Sequence, residues 1–224
     1  MRLISATVTL FLVLAGGVAA AAAQWVEGAN YIVIPSERSA APAPGKVSVV
    51  EVFSYACPAC NEFYPTADKL RAALPKNAEL SFVAAAFRPD EDWPMFQRAF
   101  YTAQELNIDR KMHDTMFDAV WRTGELAIMD PRTKGPRQPP PSIEDAAKFY
   151  SLKTGVTVDA FLAASKSFGV DFKVRAAQDF IISHRVDHTP TIVVNGKYLT
   201  DTNSAGGYDQ LIELVKWLVA KESH

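Results

Sequence analysis

The stretch Val47-Ser48-Val49-Val50-Glu51-Val52-Phe53-Ser54-Tyr55-Ala56-Cys57-Pro58-Ala59-Cys60 decides how the chain is to be read. Its first half is a β-branched run that reads as a buried strand. The segment after the second cysteine, Asn61 to Leu70, reads as a helix expected to reach about Leu74, with Pro65 kinking it. The two cysteines thus stand where a strand hands over to a helix, with Cys57 at the helix N-terminus. Such an end carries unpaired N–H groups and a partial positive charge, both favourable to an anion. A thiolate on Cys57 is such an anion, so its pKa should fall below that of a free thiol. Pro58 fits the first turn, where the N–H it lacks has no partner to lose.

Cys57 and Cys60 are the only cysteines in 224 residues. A bridge closing so small a loop restrains little of the unfolded chain and is a poor staple. Reactivity explains the pair better than stability does. Half of a zinc site is the other reading, but zinc needs four ligands. The remaining ligands would have to come from His113, His184, His188 and His224, and none has the usual spacing to a second ligand pair. No metal is expected, and the dithiol itself would be the redox group.

The chain opens with Arg2, an apolar stretch from Leu3 to Leu14 and small residues ending in Ala21-Ala22-Ala23 before Gln24. This reads as a secretory signal peptide over residues 1–23, cut between Ala23 and Gln24. The alternative is an uncleaved anchor, for which the apolar core is short. Export would place the dithiol in an oxidising space where structural disulfides are usual. The roughly 200 residues that remain hold one domain, or one with an insertion. Net charge is −2 and no basic patch interleaved with aromatics appears, so nucleic acid is not an expected partner.

Outward from the cysteines, Tyr31–Ile34 is a short candidate strand, and Ser36–Gly45 is a loop rich in Pro and Ala. Ala78–Phe87 is a further strand. Helical spacing then takes over: Trp93, Phe96, Phe100 and Ala103; Met112, Met116, Val120 and Trp121. These stripes read as helix-packing core, or in part as the lining of a peptide groove. Residues 123–141 hold Pro131, Pro136 and Pro139-Pro140-Pro141 and cannot be regular. Ser142-Ile143-Glu144-Asp145 has a capping-type helix start. Thr157 introduces a short helix. Asp171–Arg185 reads as a long one using Phe172, Val174, Ala177, Phe180 and Ile181. Strand character returns at Thr191–Val194, Asn195-Gly196 is a hairpin turn, and Tyr208–Val219 closes the chain as an amphipathic helix.

A strand leading into C-P-x-C, then Thr189-Pro190 before a β-hairpin and a last helix, resembles the thioredoxin fold. A helical block between the two halves, behind a signal peptide, resembles the DsbA family of periplasmic thiol:disulfide interchange proteins. The likeness covers the whole chain after the leader. It implies an α/β thioredoxin fold with an inserted all-helical domain: residues 24–89 and 186–224 thioredoxin-like, residues 90–185 inserted. It implies that Cys57 is the exposed cysteine attacked by substrate and Cys60 the buried one that resolves the mixed disulfide. It also implies a cis Pro190 facing the cysteines, leaving the neighbouring backbone free for substrate and blocking metal capture by the dithiol. Implied partners are unfolded exported proteins with reduced cysteines and a DsbB-like, quinone-linked membrane reoxidant, the protein itself being a monomer. The chain departs from the best-known oxidases at Ala59, where they carry histidine, and at Thr189, where they often carry valine. The expected oxidant is therefore somewhat milder.

Glu51 interrupts an apolar strand. One reading makes it an edge position with its carboxylate in water; the other makes it a buried proton relay for Cys60. His188, beside Thr189-Pro190, is either a solvated loop residue or part of the substrate-binding edge. Three functions remain in view: a dithiol oxidase, an isomerase or reductase of the same fold, and a peptide-binding holdase. Isomerases of this type usually add an N-terminal dimerisation domain, and Gln24–Ala56 is too short to hold one.

Overall fold

The computed structural model describes residues 25–35 and 46–223. The leader, with its junction at Ala23 and Gln24, the whole 36–45 loop and His224 lie outside the described residues. The strand β2 runs Val47–Phe53, within the bounds its β-branched run suggests. It crosses through α1 (Pro58–Ala73) to the parallel strand β3 (Ala78–Ala84). Five helices follow: α2 (Trp93–Glu105), α3 (Asp109–Trp121), α4 (Ile143–Thr154), α5 (Val158–Ser165) and α6 (Phe168–Ser183). The chain then re-enters the sheet at β4 (Thr191–Val194) and turns through Asn195 and Gly196. Both have positive φ, the conformation an Asn-Gly hairpin turn demands. It returns along β5 (Tyr198–Thr200), and β5 is covered on its far side by the short β1 (Ile32–Val33). The helices α7 (Thr202–Ala205) and α8 (Tyr208–Lys221) complete the chain.

The sheet order is β1-β5-β4-β2-β3, so β2 is flanked on both sides. Glu51 pairs in register with Phe82 of β3 and Ile192 of β4. The solvated-edge reading of Glu51 is thereby excluded. This is a five-stranded thioredoxin core with an inserted all-helical region, α2–α6, between β3 and β4.

Two apolar clusters hold the layers. Val49, Leu80, Ile192 and Val194 pack with Phe63 and Leu70 of α1 and Leu214 and Leu218 of α8. The second cluster ties Phe53 and Tyr55 to Phe96, Phe100, Met116 and Phe117, and onward to Tyr150 and Phe161. The aromatic and Met stripes of α2 and α3 are therefore mainly core, Trp93 alone of them also lining the groove described below, and they fix the helical region against the end of β2. Ser142 and Asp145 form a reciprocal capping box at the start of α4, satisfying two otherwise orphaned N–H groups.

The helix α1 runs to Ala73 with Pro65 inside it, as its sequence suggests. Two local expectations change. The helix α6 starts at Phe168, capped by the Ser167 side chain, rather than at Asp171. Phe172 is exposed, the buried stripe being Val170, Ala177 and Ile181. Among the described residues no helix is long and apolar enough to cross a membrane.

Candidate active site

The C-terminal ends of β2 and β3 and the start of β4 lie at one edge of the sheet, because β4 runs antiparallel to β2. Everything that follows Phe53, follows Ala84 or precedes Thr191 therefore converges there. The turn from β2 to α1 is pinned tightly. Ser54 accepts from the N–H of Cys57 through its carbonyl (3.1 Å) and from that of Ala56 through its hydroxyl (3.2 Å). The Tyr55 carbonyl accepts the indole N–H of Trp121 at 2.8 Å, and the Tyr55 hydroxyl meets Nδ1 of the buried His113 at 3.1 Å. The redox turn is thus tied to α3 by two side chains that no local pattern in the sequence marks.

Cys57 is the N-cap of α1, and its Sγ accepts the N–H of Cys60 at 3.4 Å. Its pKa falls to about 6, chiefly because the Cys60 thiol donates to it. Burial opposes the fall, while the Thr189 side chain and the N–H groups of Cys60 and Ala59 assist it. Cys60 is fully buried, and its pKa is driven well up by burial first, then by its bond to Cys57 and the charges of Cys57 and Glu51. The two thiols are thereby split into one stable anion and one strong base. Cys57 keeps only 6% of its surface exposed, less than the open position implied by family likeness. It sits at the base of a groove rather than on a free face.

That groove, about 590 Å³, is lined by Cys57 and Pro58, by residues 87–91 with Trp93 from the β3–α2 connection, and by residues 187–189 from the α6–β4 connection. Thr189, 132 positions from Cys57, brings its carbonyl oxygen to 3.6 Å of the sulfur. The Thr189–Pro190 peptide bond is cis. Pro58 and Ala59 are exposed beside the cysteine, so residue 59 offers the site a backbone N–H and a methyl group only. His188 is exposed on the groove wall, its Nδ1 2.7 Å from Asp187 and its Nε2 3.5 Å from Asp201.

Glu51 is wholly buried, and neither carboxyl oxygen has a hydrogen-bond partner. Burial raises its pKa from 4.5 to about 8; Arg71 draws it back down, and Cys57 and Asp68 add to the rise. It is a neutral acid at pH 7. Among the described residues no group of three or more His, Cys, Asp or Glu side chains could hold a metal ion.

The wall of residues 87–91 is what sequence reasoning missed, whereas Thr189 and His188 of the other wall stand where the substrate-binding edge is expected. The missed wall's one signal was position, since the connection after a parallel strand opens at the sheet edge where α/β sites form.

Residues 42–214 match the family model described as thioredoxin. The chain is 30% identical over 222 residues to the thiol:disulfide interchange protein DsbA of Pseudomonas aeruginosa, covering 99% of this chain and 97% of that protein. It is likewise 30% identical over 195 residues to DsbA of Azotobacter vinelandii, covering 87% and 83%. The crystal structure of the oxidoreductase DsbA from Xylella fastidiosa superposes with a TM-score of 0.74 at 30% identity, covering 86% of this chain and 95% of that one. DsbA of P. aeruginosa superposes at 0.73 and 28% identity, covering 88% and 94%.

Proposed function

Because the chain belongs to the DsbA family of thiol:disulfide interchange proteins, we propose that it works as the donor in exchange, passing its Cys57–Cys60 bridge to newly exported proteins in the periplasm. It is a thiol:disulfide oxidoreductase whose redox group is its own cysteine pair. The observation that supports the direction is the acidity of Cys57: a sulfur comfortable as an anion is a good leaving group, so the bridge is readily given away.

The reaction divides into two displacements. A substrate thiolate attacks Cys57 Sγ of the bridged protein, the S–S bond breaks, and its electron pair leaves on Cys60 Sγ. That sulfur is buried and basic, so it takes up a proton; Glu51, carrying one at neutral pH, is the donor we assign. A second substrate thiolate then attacks the substrate sulfur of the mixed disulfide, and Cys57 departs as a thiolate held by the N–H of Cys60. Thr189 and Pro190, with His188 beside them, form the edge along which the substrate chain lies. Residues 1–23 deliver the protein to the periplasm, where it acts as a monomer, and a DsbB-like, quinone-linked membrane protein restores the bridge. Ala59 and Thr189 make it a milder oxidant than relatives with histidine between the cysteines.

The decisive experiment equilibrates the protein with reduced and oxidised glutathione. The expected potential lies well above that of thioredoxin, near −270 mV. A value near thioredoxin's would make the protein a reductase. Cys57→Ser should abolish oxidation of a reduced test protein; full retention of its effect on folding would favour a holdase.

A further inference from the structure

The groove beside Cys57 has apolar surfaces at Phe87 and Trp93, whose rings lie 6.2 Å apart, but its rim is charged. Asp90, Glu91 and Asp187 present three exposed carboxylates. Arg88 is the one permanent cation among the lining residues, and it is held by Glu91 at 3.1 Å. Asp187 has its neighbour His188 for a partner, a group that adds charge only when protonated. Asp90 makes no ion pair among the described residues. The carboxyl of Asp92, next along the same loop, is kept above its ordinary pKa by burial and by the charge of Glu91.

This arrangement sets a condition on the substrate. The attacking group is a thiolate, and a lone anion entering between these walls is repelled on both sides. A lysine or arginine flanking the substrate cysteine removes that penalty. Its methylene stem can lie on Phe87 while its head reaches the carboxylates, the way long cationic side chains usually bury. We propose that the groove selects cysteines flanked by basic residues, with Asp90, Glu91 and Asp187 as the specificity-determining groups; this rests on the exchange reading above.

The test uses the bridged full-length protein and three single-cysteine peptides, with lysine, glycine or glutamate on both sides of the cysteine. In a single turnover the peptide thiolate bonds to Cys57, the Cys57–Cys60 bond breaks, and Cys60 takes the electron pair and a proton. Rates are divided by each peptide's own thiolate fraction, so that the effect of flanking charge on thiol acidity is removed. Exposed charge pairs are individually weak, so lysine should exceed glutamate by about 3- to 10-fold at low salt. The ratio should approach one at about 1 M salt, where the screening length is about 3 Å. The double variant Asp90→Lys, Asp187→Lys should invert it, and Asp90→Asn with Asp187→Asn should flatten it. Equal corrected rates in the wild type overturn the proposal, as does a preference that neither variant changes. If no peptide reacts, the exchange reading itself fails and takes the proposal with it.

Discussion

At neutral pH and above Glu51→Gln should make the protein more stable, and the difference between the two proteins should grow with pH. The carboxyl titrates at about 8 in the folded chain against an ordinary 4.5. The folded state therefore holds a proton that the unfolded state has released across that window. The stability associated with this proton is complete below the ordinary pKa and is lost as pH rises through the folded one. Linkage puts the deficit at under ~1 kcal/mol at pH 5, ~3 kcal/mol at pH 7 and ~4 kcal/mol at pH 8. Glutamine removes the titration while keeping the shape. Its own buried amide lacks partners at this position and costs ~1–3 kcal/mol, but that offset is the same at every pH. The slope of the difference is thus the quantity to read. Urea unfolding of the bridged forms, in which Cys57 does not ionise, should show the two proteins diverging by roughly 3 kcal/mol between pH 5 and pH 8. A gap that does not vary with pH would refute the buried-acid argument, and with it the supply of a proton to Cys60.

The Cys57 thiolate of the reduced protein, followed by its ultraviolet absorbance, should titrate with a midpoint near 6; a midpoint above 8 would contradict the N-cap argument. Because this pKa is depressed, the reduced form should be stabilised by ~1–2 kcal/mol at pH 7, the contribution growing toward pH 9 and vanishing as pH falls through 6. Phe53→Ala empties the centre of the aromatic cluster and should cost about 3–5 kcal/mol in denaturant unfolding. Ser142→Ala breaks the α4 capping box and should cost ~1 kcal/mol, leaving exchange rates unchanged. Trp121→Phe removes the bond to the Tyr55 carbonyl at 2.8 Å and should lower stability by about 1 kcal/mol.

What the sequence made legible was local. The run Val47–Phe53 alternates with nothing and is β-branched, so its identity and limits follow from composition alone. The Asn195-Gly196 turn is set by the backbone it requires, and the placing of Cys57 at the start of α1 follows from the strand before and the proline after. Properties that depend on sheet order were out of reach. Whether Glu51 meets water is decided by β4, contributed by residues far along the chain, and no pattern around position 51 encodes it. The depth of Cys57 depends likewise on two loops that meet only in the folded molecule. Phe172 misled because an aromatic at helical spacing looks like core. The true stripe begins at Val170, after a Phe168-Gly169 start that propensity disfavours.

The 132 positions between Cys57 and Thr189 have a consequence for biogenesis. On the export proposed above, a chain threaded through a membrane from its N-terminus delivers the dithiol to the far side well before the segment that will shelter it. In that interval the pair faces oxidants without its opposite wall. Having no third cysteine in the chain leaves it nothing of its own to bridge with wrongly while it waits.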